Sequence, residues 1–336
     1  TAPAVVVPPP LVDAAGGTRL RITGEGFIPT TTAACAFDGG TTLTPATVES
    51  MTVLWCLAPD TGRSSEGCEG QALEVQLAPG LVSRNAVPLR RVPTPAVLGV
   101  HPPQGYHTDR PWVTLTGYGF LAVPTLACAF VSPEGVIPVQ GPSDVQSVGP
   151  AEMRCRQPVT PGPRRAPSHV KVSIDGQVFS QTQQPYAIVG PAVALDAEPR
   201  AMTLRAARRV PLGSLVVYSV DAAGNRILNF DDGVDTVVPT LSFSGGGDPE
   251  PPGLLVAGTS VLQQGRAHVH NVTVVAPAVG DYVLRLATTR YGTARVAVRV
   301  LAGLPTRLAI VNQPSASTNN RDDLDVQPVL VLLDSA

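Results

Sequence analysis

The chain has 336 residues, of which 43% are hydrophobic and 15% charged, with a formal net charge of −2. Such a length predicts about two to four domains and the apolar content excludes wholesale disorder. A near-neutral balance also argues against a nucleic-acid binder, which needs a basic face to meet phosphates.

Thirty-five prolines and 32 glycines predict many short strands and turns, because both residues interrupt long helices. Lys171 is the one lysine, a bias with little functional content. No apolar run reaches the roughly 18–20 residues that cross a bilayer; "VQPVLVLLDSA" is short and carries Gln327 and Pro328. With no initiator Met and no signal peptide at Thr1, and with "PVLVLLDSA" reading as a strand before an unfinished turn, the sequence reads as a window on a longer polypeptide. Any membrane anchor is expected outside that window.

In chain order, the first element is "GTRLRITGEGF" (17–27). Leu20 and Ile22 alternate with Arg21, the period of a strand with one buried face. Gly24 and Gly26 then permit a turn or bulge that drops Phe27 into a core. "ACAF" (34–37), "VLWC" ending at Cys56 and "LEVQLAPGLVS" (73–83) follow as further strands. The pattern then repeats. "DRPWVTLTGYGF" carries Val113, Leu115, Gly117, Gly119 and Phe120, "ACAF" returns at 127–130, and "EMRC" ends at Cys155. "VKVSIDGQVFS" (170–180) matches the last strand and predicts a hairpin turned at Asp175-Gly176.

The cysteines follow the same register, which predicts disulfides Cys35–Cys56 and Cys128–Cys155; the alternation Glu152, Met153, Arg154, Cys155 sets the last on the apolar face. Buried free thiols in a reducing compartment are the alternative. Cys68, in a loop the second copy lacks, is left to pair between molecules or stay free; a Cys56–Cys68 bridge would break the symmetry of the repeat.

The doubled pattern Gly-x-Gly-Phe, "CAF" and Cys-x-x-Pro (Cys56–Pro59, Cys155–Pro158) resembles the IPT/TIG domain, the immunoglobulin-like sandwich of plexins, Met-type receptors and fibrocystin-like surface proteins. The resemblance covers about residues 3–92 and 94–189. A lone Gly-x-Gly also belongs to nucleotide-binding loops, but no helix and no third spaced glycine follow it here.

Beyond residue 190 "GSLVVYSVDAAGNRI", "GDYVLRLAT" and "TARVAVRVL" read as half-buried antiparallel strands. With their Asp-x-x-Gly-Asn turn they resemble filamin-type or bacterial-style immunoglobulin repeats. "QPSASTNNRDDLDVQPVLVLLDSA" parallels "EPRAMTLRAARRVPLGSLVVYSVDAA", placing Asp334 where Asp221 falls. The expected fold is all-β, tandem immunoglobulin-like sandwiches arranged as a rod. Residues 1–93, 94–189 and 190–302 form three of them, and 303–336 begin a fourth that is frayed or leans on the third.

Candidate chemistry is sparse. His268 and His270 share a strand face, but without a nearby carboxylate or cysteine they read as solvent-facing. Asp231, Asp232 and Asp235, and Asp322, Asp323 and Asp325, are candidates to hold calcium between domains, but they match no EF-hand loop and read as solvated turns. No Ser/His/Asp, Cys/His or paired-carboxylate motif is present, so neither an enzyme nor a cofactor is expected. Asn271-Val272-Thr273 is a glycosylation sequon. Trp55 and Trp112 fall at outward register positions, as contact residues or as side chains buried beneath a loop or at the joint between successive domains.

The function these readings imply is a non-enzymatic extracellular spacer and adhesion segment of a cell-surface or secreted protein. Its partners would be other extracellular proteins, copies of itself or glycans. One alternative is the shaft of an extracellular appendage, ciliary or flagellar, assembled by lateral contacts. Another is an accessory module of a carbohydrate-active enzyme. IPT/TIG folds also serve Rel-like DNA-binding factors, against which the charge and the paired cysteines speak.

Overall fold

The computed structural model describes residues 5–6, 11–60, 70–228, 234–244, 253–314 and 326–333. These residues form strands joined by turns, with one short 3-10 turn at Asp38–Gly40 and no α-helix among them. The chain divides into two compact units, Thr1–Val189 and Gly190–Ala336. The fold is all-β, built of tandem β-sandwiches, and the first unit holds both copies of the repeat.

The first copy contains β1 (Val5–Val6), β2 (Leu11–Asp13), β3 (Arg19–Thr23), β4 (Ala34–Phe37), β5 (Thr42–Ser50), β6 (Val53–Leu57), β7 (Gly70–Ala78), β8 (Leu81–Val82) and β9 (Val87–Val92). One sheet runs β1-β3-β6-β5 and the other β5-β4-β7-β9-β2, so the nine-residue β5 passes from one layer to the other. Leu20, Ile22, Phe37, Leu54, Leu73 and Leu89 pack between the layers.

The second copy contains β10 (Ala96–His101), β11 (Gln104–Tyr106), β12 (Trp112–Tyr118), β13 (Ala127–Ser132), β14 (Gly135–Gln140), β15 (Val145–Gly149), β16 (Glu152–Arg156), β17 (His169–Ser173), β18 (Gln184–Pro185) and β19 (Ala187–Val189). Its sheets run β10-β12-β16-β15 and β14-β13-β17-β18. Here the crossing strand is broken into β14 and β15. Val113, Leu115, Phe130, Met153, Val170 and Val172 make this core.

The Gly-x-Gly-Phe element does the same work in each copy. Gly26 and Gly119 take φ of 74° and 80°, the left-handed region glycine favours. Beyond that turn Phe27 and Phe120 are buried at 3% and 1% exposure. Their N–H groups donate to Met51 O at 3.0 Å and Pro150 O at 3.2 Å, equivalent carbonyls in the turn before the cysteine strand.

Each copy also has a three-residue parallel pair, β2 with β9 and β11 with β19. In the first copy this pair has two working faces. Val12 and Leu89 enter the first core, whereas Leu11 and Val92 join the core of the second copy. The strand pair is therefore shared between two hydrophobic clusters.

One predicted hairpin is only partly formed: Ser180 N donates to Val172 O at 2.7 Å as Ser83 N does to Val75 O at 2.9 Å, but the strand pairing that precedes this contact in the first copy is missing. In the first copy β7 turns at Gly80 (φ 79°) and pairs back with β8. In the second, β17 stops at Ser173 and no return strand pairs with it as β8 pairs with β7. The cause is the Asp175 carboxylate. Its Oδ1 accepts from Ser173 Oγ (2.8 Å), Gln177 N (2.9 Å) and Val178 N (2.8 Å), capturing the amides a hairpin ladder would use. The resulting tip docks on the first copy. Thr18 Oγ1 donates to Asp175 Oδ2, Arg19 N donates to Gln177 Oε1 at 3.0 Å, and Gln177 Nε2 donates to Arg19 O at 3.2 Å.

The second unit contains β20 (Ala194–Glu198), β21 (Ala201–Arg205), β22 (Arg209–Pro211), β23 (Leu215–Val220), β24 (Asp235–Phe243), β25 (Gly253–Val256), β26 (Ser260–Leu262), β27 (Arg266–Val269), β28 (Val272–Val275), β29 (Gly280–Thr288), β30 (Gly292–Leu301), β31 (Arg307–Asn312) and β32 (Val329–Leu333). The sheet β21-β30-β29-β24-β26 faces β20-β23-β27 and β22-β28-β25 across one core, to which Tyr282, Leu284, Leu286, Val296, Val298 and Val300 contribute the predicted alternation. Asp221 closes the Asp-x-x-Gly-Asn turn. Its carboxylate accepts from Ala223 N, Asn225 N, Asn225 Nδ2 and Gly190 N, each at 2.9–3.0 Å.

β31 and β32 form a two-stranded sheet whose register repeats that of β20 and β23: Arg307 faces Leu333 as Ala194 faces Val220, both 113 positions earlier. Burial differs. Ala197 and Val217 are 2% and 0% exposed, while their counterparts Ile310 and Leu330 are 51% and 50% exposed.

Candidate functional site

The features of interest lie on the outer face of the sheet that carries Cys56 or Cys155. In the first copy Arg21 on β3 faces Trp55 on β6, and Arg19 is two residues away on the same side. The Arg19 guanidinium lies 4.2 Å from the Trp55 ring centroid and that of Arg21 5.8 Å. The indole N–H is held by Glu49 from β5. In the second copy Arg156 faces Trp112 and its guanidinium lies 4.3 Å from the ring centroid. Both tryptophans are thus half-buried, each with a guanidinium over its ring. Which arginines would stack depends on cross-strand register, so the aromatic residues alone did not signal the arrangement.

The two patches differ in how their charges are paired. Arg156 and Arg110 converge on Asp144, with Arg110 Nη2 at 2.7 Å from its Oδ1 and Arg156 Nε at 3.9 Å. These three residues line a cleft of about 390 Å³ with Pro138, Gln140 and Pro158. No described carboxylate forms an ion pair with Arg19 or Arg21; in the first patch the carboxylate, Glu49, accepts from the indole N–H instead. A second groove, of about 230 Å³, runs beside Phe27, Ile28, Leu77 and Leu81 in the first copy.

The four repeat cysteines are joined as Cys35–Cys56 and Cys128–Cys155, with Cα atoms 6.3 and 6.5 Å apart. Each bridge ties one sheet to the other, β4 to β6 and β13 to β16. Cys68 lies outside the described residues, as do Asp231, Asp232, Asp322, Asp323, Asp325 and Asp334.

Asn271 is exposed at φ 57° in the turn between β27 and β28, where its carbonyl accepts from Ala257 N at 3.0 Å. His268 and His270 are exposed, and His270 Nδ1 lies 3.2 Å from His268 O. Asp235 is a structural residue instead of the solvated turn its cluster suggested. Burial alone would raise its pKa, but donation from Arg290 N at 3.0 Å, Thr289 Oγ1 at 3.0 Å and Thr236 N at 2.8 Å holds the carboxyl below its usual range. Among the described residues no three His, Cys, Asp or Glu side chains gather where they would hold a metal ion, and no helix is long and apolar enough to cross a membrane.

No family model matches the sequence, and no curated protein matches it. Solved structures resemble it in fold. The extracellular region of plexin A4 aligns at 12% identity over 82% of this chain and 21% of its own, with a TM-score of 0.40. The D1–D4 ectodomain fragment of ICAM-5 aligns at 12% identity over 93% of this chain and 80% of its own, TM-score 0.21. A glycosyl hydrolase family 2 member from Bacteroides cellulosilyticus aligns at 10% identity over 59% and 24%, TM-score 0.34. This chain spans about a fifth of the plexin A4 region it matches. At these identities and TM-scores none of the three transfers a function to it.

Proposed function

We propose that this chain is a non-enzymatic spacer and contact segment of a cell-surface or secreted protein. Its residues 1–93 and 94–189 are read as IPT/TIG-type sandwiches, 190–302 as a third immunoglobulin-like domain, and 303–336 as the beginning of a fourth. The observation that carries this reading is the pair of bridged sandwiches docked through side chains specific to the joint. Cross-linked sheets suit an oxidising compartment. A joint with its own hydrogen bonds and apolar contacts keeps neighbouring surfaces at fixed separation, which a free linker does not.

The contact surfaces favoured by this reading are the arginine-capped faces around Trp55 and Trp112. Arginine and tryptophan side chains dominate many protein interfaces, and here a guanidinium is already held over each ring. The partners are then other extracellular proteins. The exposed Asn271 turn gives a glycosyl transferase room to reach the amide.

Non-reducing peptide mapping of natively secreted material tests the compartment, the bridges and the modification together. The expected fragments link Cys35 to Cys56 and Cys128 to Cys155 and carry a glycan on Asn271. Five free thiols with an unmodified Asn271 would place the protein inside the cell and overturn the reading.

A further inference from the structure

The joint between the two copies contains an electrostatic feature that spacing alone does not require. Asp13, at the end of β2, is fully buried, and Asp175 in the docked tip is 4% exposed. Thr18 connects them: its Oγ1 accepts from Asp13 N at 3.1 Å and donates to Asp175 Oδ2. The Asp175 carboxylate accepts from four donors in all. Asp13 is less well provided. Its Oδ1 accepts from Ala15 N at 2.8 Å and from Thr94 Oγ1, while its Oδ2 has no hydrogen-bond partner among the described residues.

We propose that the joint between the two sandwiches is proton-sensitive: Asp13 takes up a proton on Oδ2 as the medium acidifies, and the docked arrangement tightens. The charged groups around Asp13 favour this. From the tip comes Asp175, a like charge. From β9 come Arg90, which is exposed, and Arg91, whose guanidinium turns into the first sandwich, donates to Pro59 O at 2.9 Å and lies 6.0 Å from the Phe37 ring. The fields acting on Arg91 are those of Asp38 and Asp60. From the turn after β6 comes Asp60, itself exposed. The turn after β2 and the segment after β9 contribute the uncharged Thr18 and Thr94. An ionised Asp13 is therefore buried beside another carboxylate without a cation facing it, an arrangement that a bound proton relieves.

The direction of the effect follows from burial. Desolvation pushes the Asp13 carboxyl above its usual range and the Asp175 charge adds to this, while donation from Thr94 and Ala15 N pulls it back. The docked joint binds the proton more tightly than an opened, hydrated one. Docking is then strongest below the ordinary carboxylate range and weakens as pH rises through the raised value. A metal ion is the less suitable occupant, because among the described residues no third metal-binding side chain joins Asp13 and Asp175 and the oxygens of Asp175 are already engaged.

The reporter is the Arg19 amide, whose hydrogen crosses the joint to Gln177 Oε1. Hydrogen exchange of the full chain, corrected for intrinsic rates, is followed between neutral and mildly acidic pH in peptides covering 11–22, with 127–140 as an internal control. Protection of 11–22 is expected to rise on acidification, approaching about tenfold per pH unit between the two carboxyl values, with the control unchanged. Asp13→Asn should show high, flat protection. Thr94→Val, which removes a donor from the ionised carboxylate, should move the midpoint upward. A flat wild-type profile, or an undiminished slope in Asp13→Asn, overturns the proposal. So does a rise in protection at neutral pH on adding calcium chloride, which would assign the site to a metal ion. If Asp13→Asn does not fold, the Thr94→Val midpoint decides, an unchanged value counting against.

Discussion

Where the first copy packs Val12, Ala58 and Leu89, the second places Gly105, Gln157 and Tyr186. Register fixes the correspondence: Val12 faces Arg91 as Gly105 faces Ile188, and the amides of Ala58 and Gln157 donate to the equivalent carbonyls of Thr18 and Pro111. The first trio is apolar and belongs to the core. The second is a polar network, in which Tyr186 Oη donates to Gln157 Oε1 at 2.6 Å and Gln157 Nε2 donates to Tyr106 O. Burial pushes the Tyr186 phenol well above its ordinary range, so it remains a donor. Gly105 is what makes room: a Cβ there would lie 2.1 Å from Gln157 Oε1 and 2.6 Å from Tyr186 Oη. One backbone frame therefore accepts two fillings, provided that all three positions change together.

If the frame and not the filling carries stability, the two disulfides should matter equally. Their sequence separations are 21 and 27 residues. Loop-closure entropy gives each about 3.5 kcal/mol, with a difference of only about 0.2 kcal/mol. Replacing both cysteines of either pair by serine should lower the melting temperature of that sandwich by about 15 °C or more. A much smaller loss in one copy, followed by calorimetry, would show that the two frames are not equivalent.

The filling is tested next. Gly105→Val is expected to cost about 1–3 kcal/mol, because Gln157 and Tyr186 are too buried to swing aside. Adding Gln157→Ala and Tyr186→Leu, which recreates the first copy's trio, should recover most of that loss in chemical denaturation. Failure of the triple variant to recover would mean that the fillings are not interchangeable.

The smallest effects belong to the outer faces. Double-mutant cycles on Arg19 with Trp55, and on Arg156 with Trp112, should each give a coupling of about 0.5–1 kcal/mol. Added salt should alter the Arg156 response more, because Asp144 draws that guanidinium from one side. Equal salt responses would remove the difference between the patches.

The parts legible in sequence were those with local periodicity. The alternation of Leu20 with Ile22 and of Val296 with Val300 declares itself within a few residues, and the Gly-x-Gly-Phe turns and the cysteines declare themselves by returning in the second copy. What stayed hidden depends on distant partners. β2 and β11 are three-residue strands paired with segments far along the chain, too short for a period to emerge. Asp13, in "LVDAAGG", has the composition of a solvated turn, yet it is fully buried in the fold. Asp175-Gly176 carries hairpin chemistry, but the carboxylate closed a tighter local turn and spent its tip on the adjoining sandwich.

The two-stranded sheet of β31 and β32 has a practical consequence. With both lateral edges unpaired among the described residues, and with Leu308, Leu330 and Leu332 open to water, it is a template for any extended segment that comes near. For a preparation of these 336 residues alone, shelf life at high concentration would then be governed by eleven residues of ribbon, and no reinforcement of the three cores would lengthen it.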